Sequence, residues 1–184
     1  MDVDVMVGPH RLREHAEIAR HTLAAGFSGL TFTETGRTAY LGAAAAALAA
    51  PGLTLSTGIA VAFPRSPMVT ASTAWELADE TDGRFLLGLG TQVKAHIERR
   101  FSTDFDPPGP RLREYILAVK AIFRAFNGDE PLKFEGEYYR FSLLPAQWTP
   151  GPIAHPNVPV YISAVNPWML GGVSRRRGRC SRCW

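Results

Sequence analysis

Cysteine is missing from residues 1–179 of this 184-residue chain, and Cys180 and Cys183 both fall in its last few positions. A body without cysteine excludes a disulfide framework and leaves the core to apolar packing. Long apolar runs are missing too. The least polar stretch, residues 41–50, is nearly all alanine and far too short to cross a bilayer. The opening MDVDVMVGPH has no basic region followed by an apolar run, so no secretory signal is expected, and the cytoplasm is the expected compartment.

The body also lacks a basic excess, although the whole chain carries 20 basic and 17 acidic residues. Residues 171–184, GGVSRRRGRCSRCW, hold five arginines and no acid. Without them, 15 basic residues face 17 acidic ones, so neither nucleic acid nor a membrane is an expected partner. RNA binding through the arginine tail is the minor alternative, and it predicts a salt-sensitive affinity lost with the tail.

Several catalytic signatures are missing as well. Neither a G-x-S-x-G elbow nor a Walker loop occurs. The histidines, His10, His15, His21, His96 and His155, form no i,i+4 pair and carry no acidic cluster, which argues against a metal site. Cys180 and Cys183 have the spacing of half a zinc site, without a second pair to complete it. Gly88-Leu89-Gly90 begins like a dinucleotide turn, but Val93 stands where the third glycine is needed.

What is present is a regular alternation. Val3, Val5 and Val7 predict a strand, and Leu12, Ala16, Ala19 and Leu23 predict a helix stopped by Gly26. Strands follow at 30–33, 54–62, 84–89 and 158–162. Helices are expected over 39–50, from Met68 to about Asp82, and along the stripe Leu112, Ile116, Val119, Phe123 and Phe126. Residues 134–141 read as a short hairpin. This βαβαβαβα order, an excursion and a fifth strand predict an α/β fold with a parallel sheet. An open doubly wound sheet and the first five strands of a (β/α)8 barrel both fit, and a full barrel needs about 250 residues.

In either architecture ligands bind at the C-terminal strand ends. Those ends are rich in Gly, Ser and Thr, which suits a flat ligand close to the backbone and equally suits ordinary turns and caps. Glu34 is the one acid among them: a ligand-binding group or base, or else a helix cap. Tyr138, Tyr139 and Trp148 either line a pocket or pack the excursion.

Four segments, AAGFSGLTFTETG (24–36), LSTGIAVAFPRSP (55–67), DGRFLLGLGTQVKAHIERRF (82–101) and PVYISAVNPWM (159–169), resemble the luciferase-like monooxygenase superfamily, most of all its branch that uses the deazaflavin coenzyme F420. The resemblance implies a partial (β/α)8 TIM barrel over residues 1–170, with outer helices and a deazaflavin or flavin ring over the strand ends. It implies a non-proline cis peptide at Gly58-Ile59 beneath that ring. It assigns Glu34 and Thr35 to the catalytic side of the ring. It assigns Thr91, Val93 and His96 to the fourth-strand loop, and Ala164, Val165 and Asn166 to the fifth-strand end. In relatives that oxidise a sugar phosphate, a histidine and a glutamate stand where this chain has Thr35 and Val93. Neither of the latter moves a proton at neutral pH, so hydride transfer between F420 and a small unsaturated or carbonyl substrate is expected instead. An FMN-dependent monooxygenase and a non-catalytic flavin-binding or inert fragment are the alternatives.

Relatives continue through three more strands, which in this family supply much of the coenzyme phosphate site. The chain is therefore expected to be C-terminally truncated and to have little or no activity alone. Residues 171–184 are expected to be a disordered tail from a shifted reading frame. An open half-barrel is expected to expose two strand edges and apolar strand faces, and so to dimerise or associate edge to edge.

Overall fold

The computed structural model describes residues 2–164. Val165, Asn166 and the tail 171–184 lie outside the described residues. The expected alternation is present. Strand β1 (Asp4–Val7) pairs in parallel with β2 (Gly29–Phe32), and β2 with β3 (Thr54–Thr57). Strand β5 (Phe85–Gly90) pairs with β3 and with the two-residue β4 (Ala60–Val61), and also with β8 (Val160–Ile162). All of these pairings are parallel. Helices α1 (Leu12–Ala24), α2 (Ala39–Ala49), α3 (Pro67–Glu80) and α5 (Pro108–Phe126) form the outer layer. The excursion holds a short helix α4 (Lys94–Arg99), an antiparallel hairpin of β6 (Phe134–Glu135) and β7 (Arg140–Phe141), and a 3-10 turn at Ala146–Trp148.

The strands alternate sharply between two environments. Leu30, Phe32, Leu55, Phe85, Leu87, Leu89 and Val160 are fully or almost fully buried in the core shared with the helices. The alternate positions, Asp4, Met6, Thr31, Thr54, Ser56, Leu86 and Tyr161, are only partly buried or exposed. Period-two alternation thus sends the large apolar residues to the helix layer and mostly small or polar residues to the inner face. The uncovered face is mixed: Met6, which is exposed, and the partly buried Leu86 and Tyr161 lie among its polar residues. Its hydroxyls satisfy one another, with Thr31 Oγ1 and Ser56 Oγ 2.7 Å apart.

The helices follow their apolar stripes with one exception. In α5, Leu112, Ile116, Val119, Phe123 and Phe126 are buried as their spacing predicts, and Trp75 of α3 stacks on Phe123 with ring centroids 5.6 Å apart. In α1 the buried residues are His15, Ala19 and Thr22, while Leu12 and Leu23 are 47% and 41% exposed. The close approach of α2 explains the shift. Gly42 of α2 lies so near the His15 ring that a Cβ there would come within 3.1 Å of it. Small residues along α2 bring the two helices together on the His15 side.

Candidate functional site

The expected third strand, 54–62, is broken into β3 and β4, and the register shows why. Between the pairs Ser56–Leu86 and Ala60–Leu89 the first strand advances four residues and β5 only three. The extra residue makes a β-bulge, a device that re-aims side chains at the rims of sheets. Gly58-Ile59 lies inside it, and its peptide bond is cis. The bulge leaves Gly88 without its normal ladder partners. Thr57 replaces them: its hydroxyl donates to the Gly88 carbonyl at 2.7 Å and accepts from the Gly88 N–H at 2.9 Å. Gly88 has no alternative at this position, because a Cβ would sit 1.9 Å from the Thr57 carbonyl oxygen. The glycine that imitated a dinucleotide turn is there for this backbone approach.

Beyond the bulge, the strand ends form a shallow face. Ile59 and Ser163 converge over Gly90, where a Cβ would lie 2.7 Å from each of their side chains. Gly8, after β1, and Gly36, after β2, are uncrowded: a Cβ on either would meet no atom within 4 Å. Half-buried Gly58 and Ile59 lie at the C-terminal end of β3.

Glu34 leaves β2 at the edge of this face, but its carboxylate is already engaged. Arg65 donates to both oxygens, Nη2 to Oε1 at 2.5 Å and Nη1 to Oε2 at 2.9 Å. The Val61 N–H also donates to Oε2, at 2.7 Å. The Glu34 side chain is 7% exposed. Arg65 further donates to the Val61 carbonyl and to Thr38 Oγ1, and its guanidinium lies 5.1 Å from the centre of the Tyr40 ring. Thr35 is exposed, and its carbonyl accepts a 2.7 Å hydrogen bond from Arg100. That bond ties the end of β2 to the segment carrying α4.

Of the fourth-strand residues, Thr91 is half-buried and donates to the Gln92 carbonyl, while Val93 and His96 are exposed. Val93 is the residue preceding α4, and His96 lies within that helix, which Ile97 anchors by complete burial. Lys94 pairs with Asp106, just before α5. Ala164, at the exit of β8, packs partly buried against the core. The structure therefore brings Glu34, Thr35, Gly58 and Ile59 to one rim and places Thr91, Val93 and His96 on the loop after β5.

The aromatic candidates divide. Tyr139 packs edge-on against Tyr115, with centroids 5.5 Å apart, and burial pushes its phenol up to about 12. Tyr138 lies under the Arg111 guanidinium, and Trp148 is 74% exposed. Burial also raises the Tyr40 and Tyr115 phenols, so these hydroxyls are neutral donors and acceptors rather than bases. A cavity of about 430 Å³ lies at the other end of the molecule, between the C-terminal half of α5 and the entry to β8, where Phe123, Asn127 and Val158 line it. It is remote from the strand ends.

Arg65, Arg100 and Thr57 are the residues that sequence reasoning missed. Arg65 stood in the quoted FPRSP segment, but its partner lies 31 residues away.

Sequence comparison decides the family. The profile of the luciferase-like monooxygenases matches residues 2–175. The chain belongs to the luciferase-like monooxygenase family. An uncharacterised protein of Mycobacterium tuberculosis is 38% identical over 161 residues, covering 88% of this chain and 47% of its own. Among solved structures, the coenzyme F420-dependent tetrahydromethanopterin reductase of Methanopyrus kandleri superimposes with a TM-score of 0.72 at 21% identity, covering 92% of this chain and 52% of that one. The FMN complex of the oxygenating constituent of 3,6-diketocamphane monooxygenase from Pseudomonas putida gives 0.74 at 16% identity, covering 94% and 56%. These likenesses establish the fold as that of luciferase-like barrels, of which the chain carries the first part. The chain spans about half the length of the mycobacterial relative it matches.

Proposed function

We propose that this chain forms the ring side of a coenzyme site for an F420-dependent oxidoreductase acting on a small organic substrate. The observation that carries this reading is the β-bulge at the C-terminal strand ends, which sets half-buried Gly58 and Ile59 apart from β5 and brings Ile59 over Gly90. A planar ring would rest there against the apolar edge that Ile59 supplies. The likeness to an F420-dependent reductase supports the choice of coenzyme. The bound coenzyme would supply the hydride chemistry.

The protein's own contribution is to bind and orient. Ile59 faces the ring, and the loop carrying Thr91, Val93 and His96 covers the β5 side. Thr35 and Val93 carry no group that titrates near neutrality. Glu34 is engaged by three N–H donors from Arg65 and Val61, so we assign the proton exchanged with substrate to solvent rather than to this carboxylate. The phosphate side of the site, which the family resemblance assigns to later barrel strands, is not among the described residues. Little or no turnover is therefore expected of these residues alone.

FMN with molecular oxygen is the second reading, favoured by the likeness to an FMN-bound monooxygenase. Titrating the chain with F420 and with FMN, following the fluorescence of each, separates the two. Saturable quenching of F420 at lower concentration than FMN supports the proposal. The reverse order favours the monooxygenase, and no saturation with either removes both readings.

A further inference from the structure

We propose that Glu34 and Arg65 act together as a positioning unit that holds the bulge under the coenzyme ring, so that coenzyme affinity depends on this ion pair as well as on the residues the ring would touch. The inference rests on the ring occupying the strand-end face proposed above.

Three observations carry it. First, the pair is bidentate: two parallel N–H···O bonds fix the carboxylate and guanidinium in one plane, which a single-point contact would not do. Second, both partners grip the same backbone residue. Glu34 Oε2 accepts from the Val61 N–H at 2.7 Å, and Arg65 Nη1 donates to the Val61 carbonyl at 3.0 Å. Val61 lies two residues past Ile59 and closes the bulge by pairing with Gly90. Third, the unit is itself braced. Arg65 also donates to Thr38 Oγ1, and its guanidinium lies against the Tyr40 ring. The end of β2, the bulge and the start of α2 are thereby locked to one another.

The consequence is a chain of placement. Thr38 and Tyr40 hold Arg65, Arg65 holds Glu34, and the pair holds Val61, two residues past Ile59, whose side chain lies over Gly90. A ring resting on Ile59 therefore meets a preformed surface. Loss of the pair would leave that surface to be ordered at the expense of binding.

The test uses the full ¹⁵N-labelled chain as wild type, the charge-free double variant Glu34→Met/Arg65→Met, the isosteric Glu34→Gln and the charge-conserving Arg65→Lys. Backbone amide spectra report on residues 58–62, and fluorescence titration gives the dissociation constants for F420 and FMN. In the double variant, the amide signals of 58–62 are expected to shift while those of α5 stay in place. The dissociation constant of the preferred coenzyme is expected to rise at least tenfold. Arg65→Lys should fall between wild type and double. If the double variant does not fold, Glu34→Gln provides the same readouts in a nearly unchanged volume. Unmoved signals at 58–62, or moved signals with wild-type affinity, would overturn the proposal. A wild-type chain that binds neither coenzyme would instead remove the functional reading on which it rests.

Discussion

Among single residues, the carboxylate of Glu34 shows how burial redirects chemistry. With 7% of its side chain exposed and three N–H donors upon it, it is committed to Arg65 and the Val61 backbone. Such a pair costs much to form, and breaking it is worse, because one buried charge is left alone. Arg65→Met is therefore expected to lower unfolding free energy by about 3 kcal/mol, the low end of the range for a buried pair because Arg65 keeps 24% exposure. The double variant Glu34→Met/Arg65→Met should recover most of that loss in a urea titration. A single variant as stable as wild type would show that the pair is not formed in solution. The position of Glu34 was legible in the sequence as an acid at a strand end. Its partner was not, since nothing in residues 63–67 specifies which strand end Arg65 will meet.

His15 carries the second prediction at this scale. It is 4% exposed, and burial, reinforced by His10 and Arg37 and opposed by Glu14, holds its imidazole below the ordinary histidine value. The unfolded chain then binds more protons than the folded one once pH falls below about 6.5, so stability decreases as pH falls. Between pH 7.5 and 5.5 the urea midpoint should drop, and His15→Leu should make that drop shallower. An equal slope in both proteins would mean that His15 protonates freely in the folded state.

Among elements, the bulge between β3 and β4 organises the site. One extra residue frees Gly58-Ile59 from pairing with β5, while the Gly58 N–H still donates to the Phe32 carbonyl of β2 at 2.8 Å, and Thr57 replaces the lost hydrogen bonds at Gly88. Gly88→Ala forces a methyl into the Thr57 carbonyl and should cost at least the 1–3 kcal/mol typical of overpacking, about the upper figure here because the obstacle is backbone. Gly36→Ala, in open space, should change stability by less than about 0.5 kcal/mol. Comparable unfolding midpoints for the two variants would contradict the bulge geometry. The elements themselves were legible from period and turn residues, α5 most clearly. The exposed helix α4 was not, because six residues with a single buried side chain, Ile97, carry no periodic stripe. The face of α1 was misread because helical spacing gives an apolar stripe but not the neighbour, and here the small residues of α2 chose the His15 side.

At the scale of the whole molecule, five parallel strand positions with helices on one side present an inner face of Asp4, Met6, Thr31, Thr54, Ser56, Leu86 and Tyr161. Among the described residues, β1 and β8 each pair on one side only, so the outer edges of the sheet offer unmatched backbone groups. Association through edges is therefore proposed over association through the face. No helix among the described residues is long and apolar enough to cross a membrane. The fold class could be read from alternation alone, whereas the choice between an open sheet and a barrel needed the family resemblance. The coenzyme could not be read from any residue, because F420 and FMN present similar rings to the same strand ends.

The central claim is that a flavin-like ring lies at the C-terminal strand ends over the bulge. Its most direct test is an amide chemical-shift map of the ¹⁵N-labelled chain during titration with F420 and then FMN, which detects weak binding as readily as strong. The predicted result is saturable shifts concentrated at residues 33–36, 58–61 and 90–92. Saturable shifts confined to the cavity between α5 and β8, or none with either coenzyme at millimolar concentration, would contradict it.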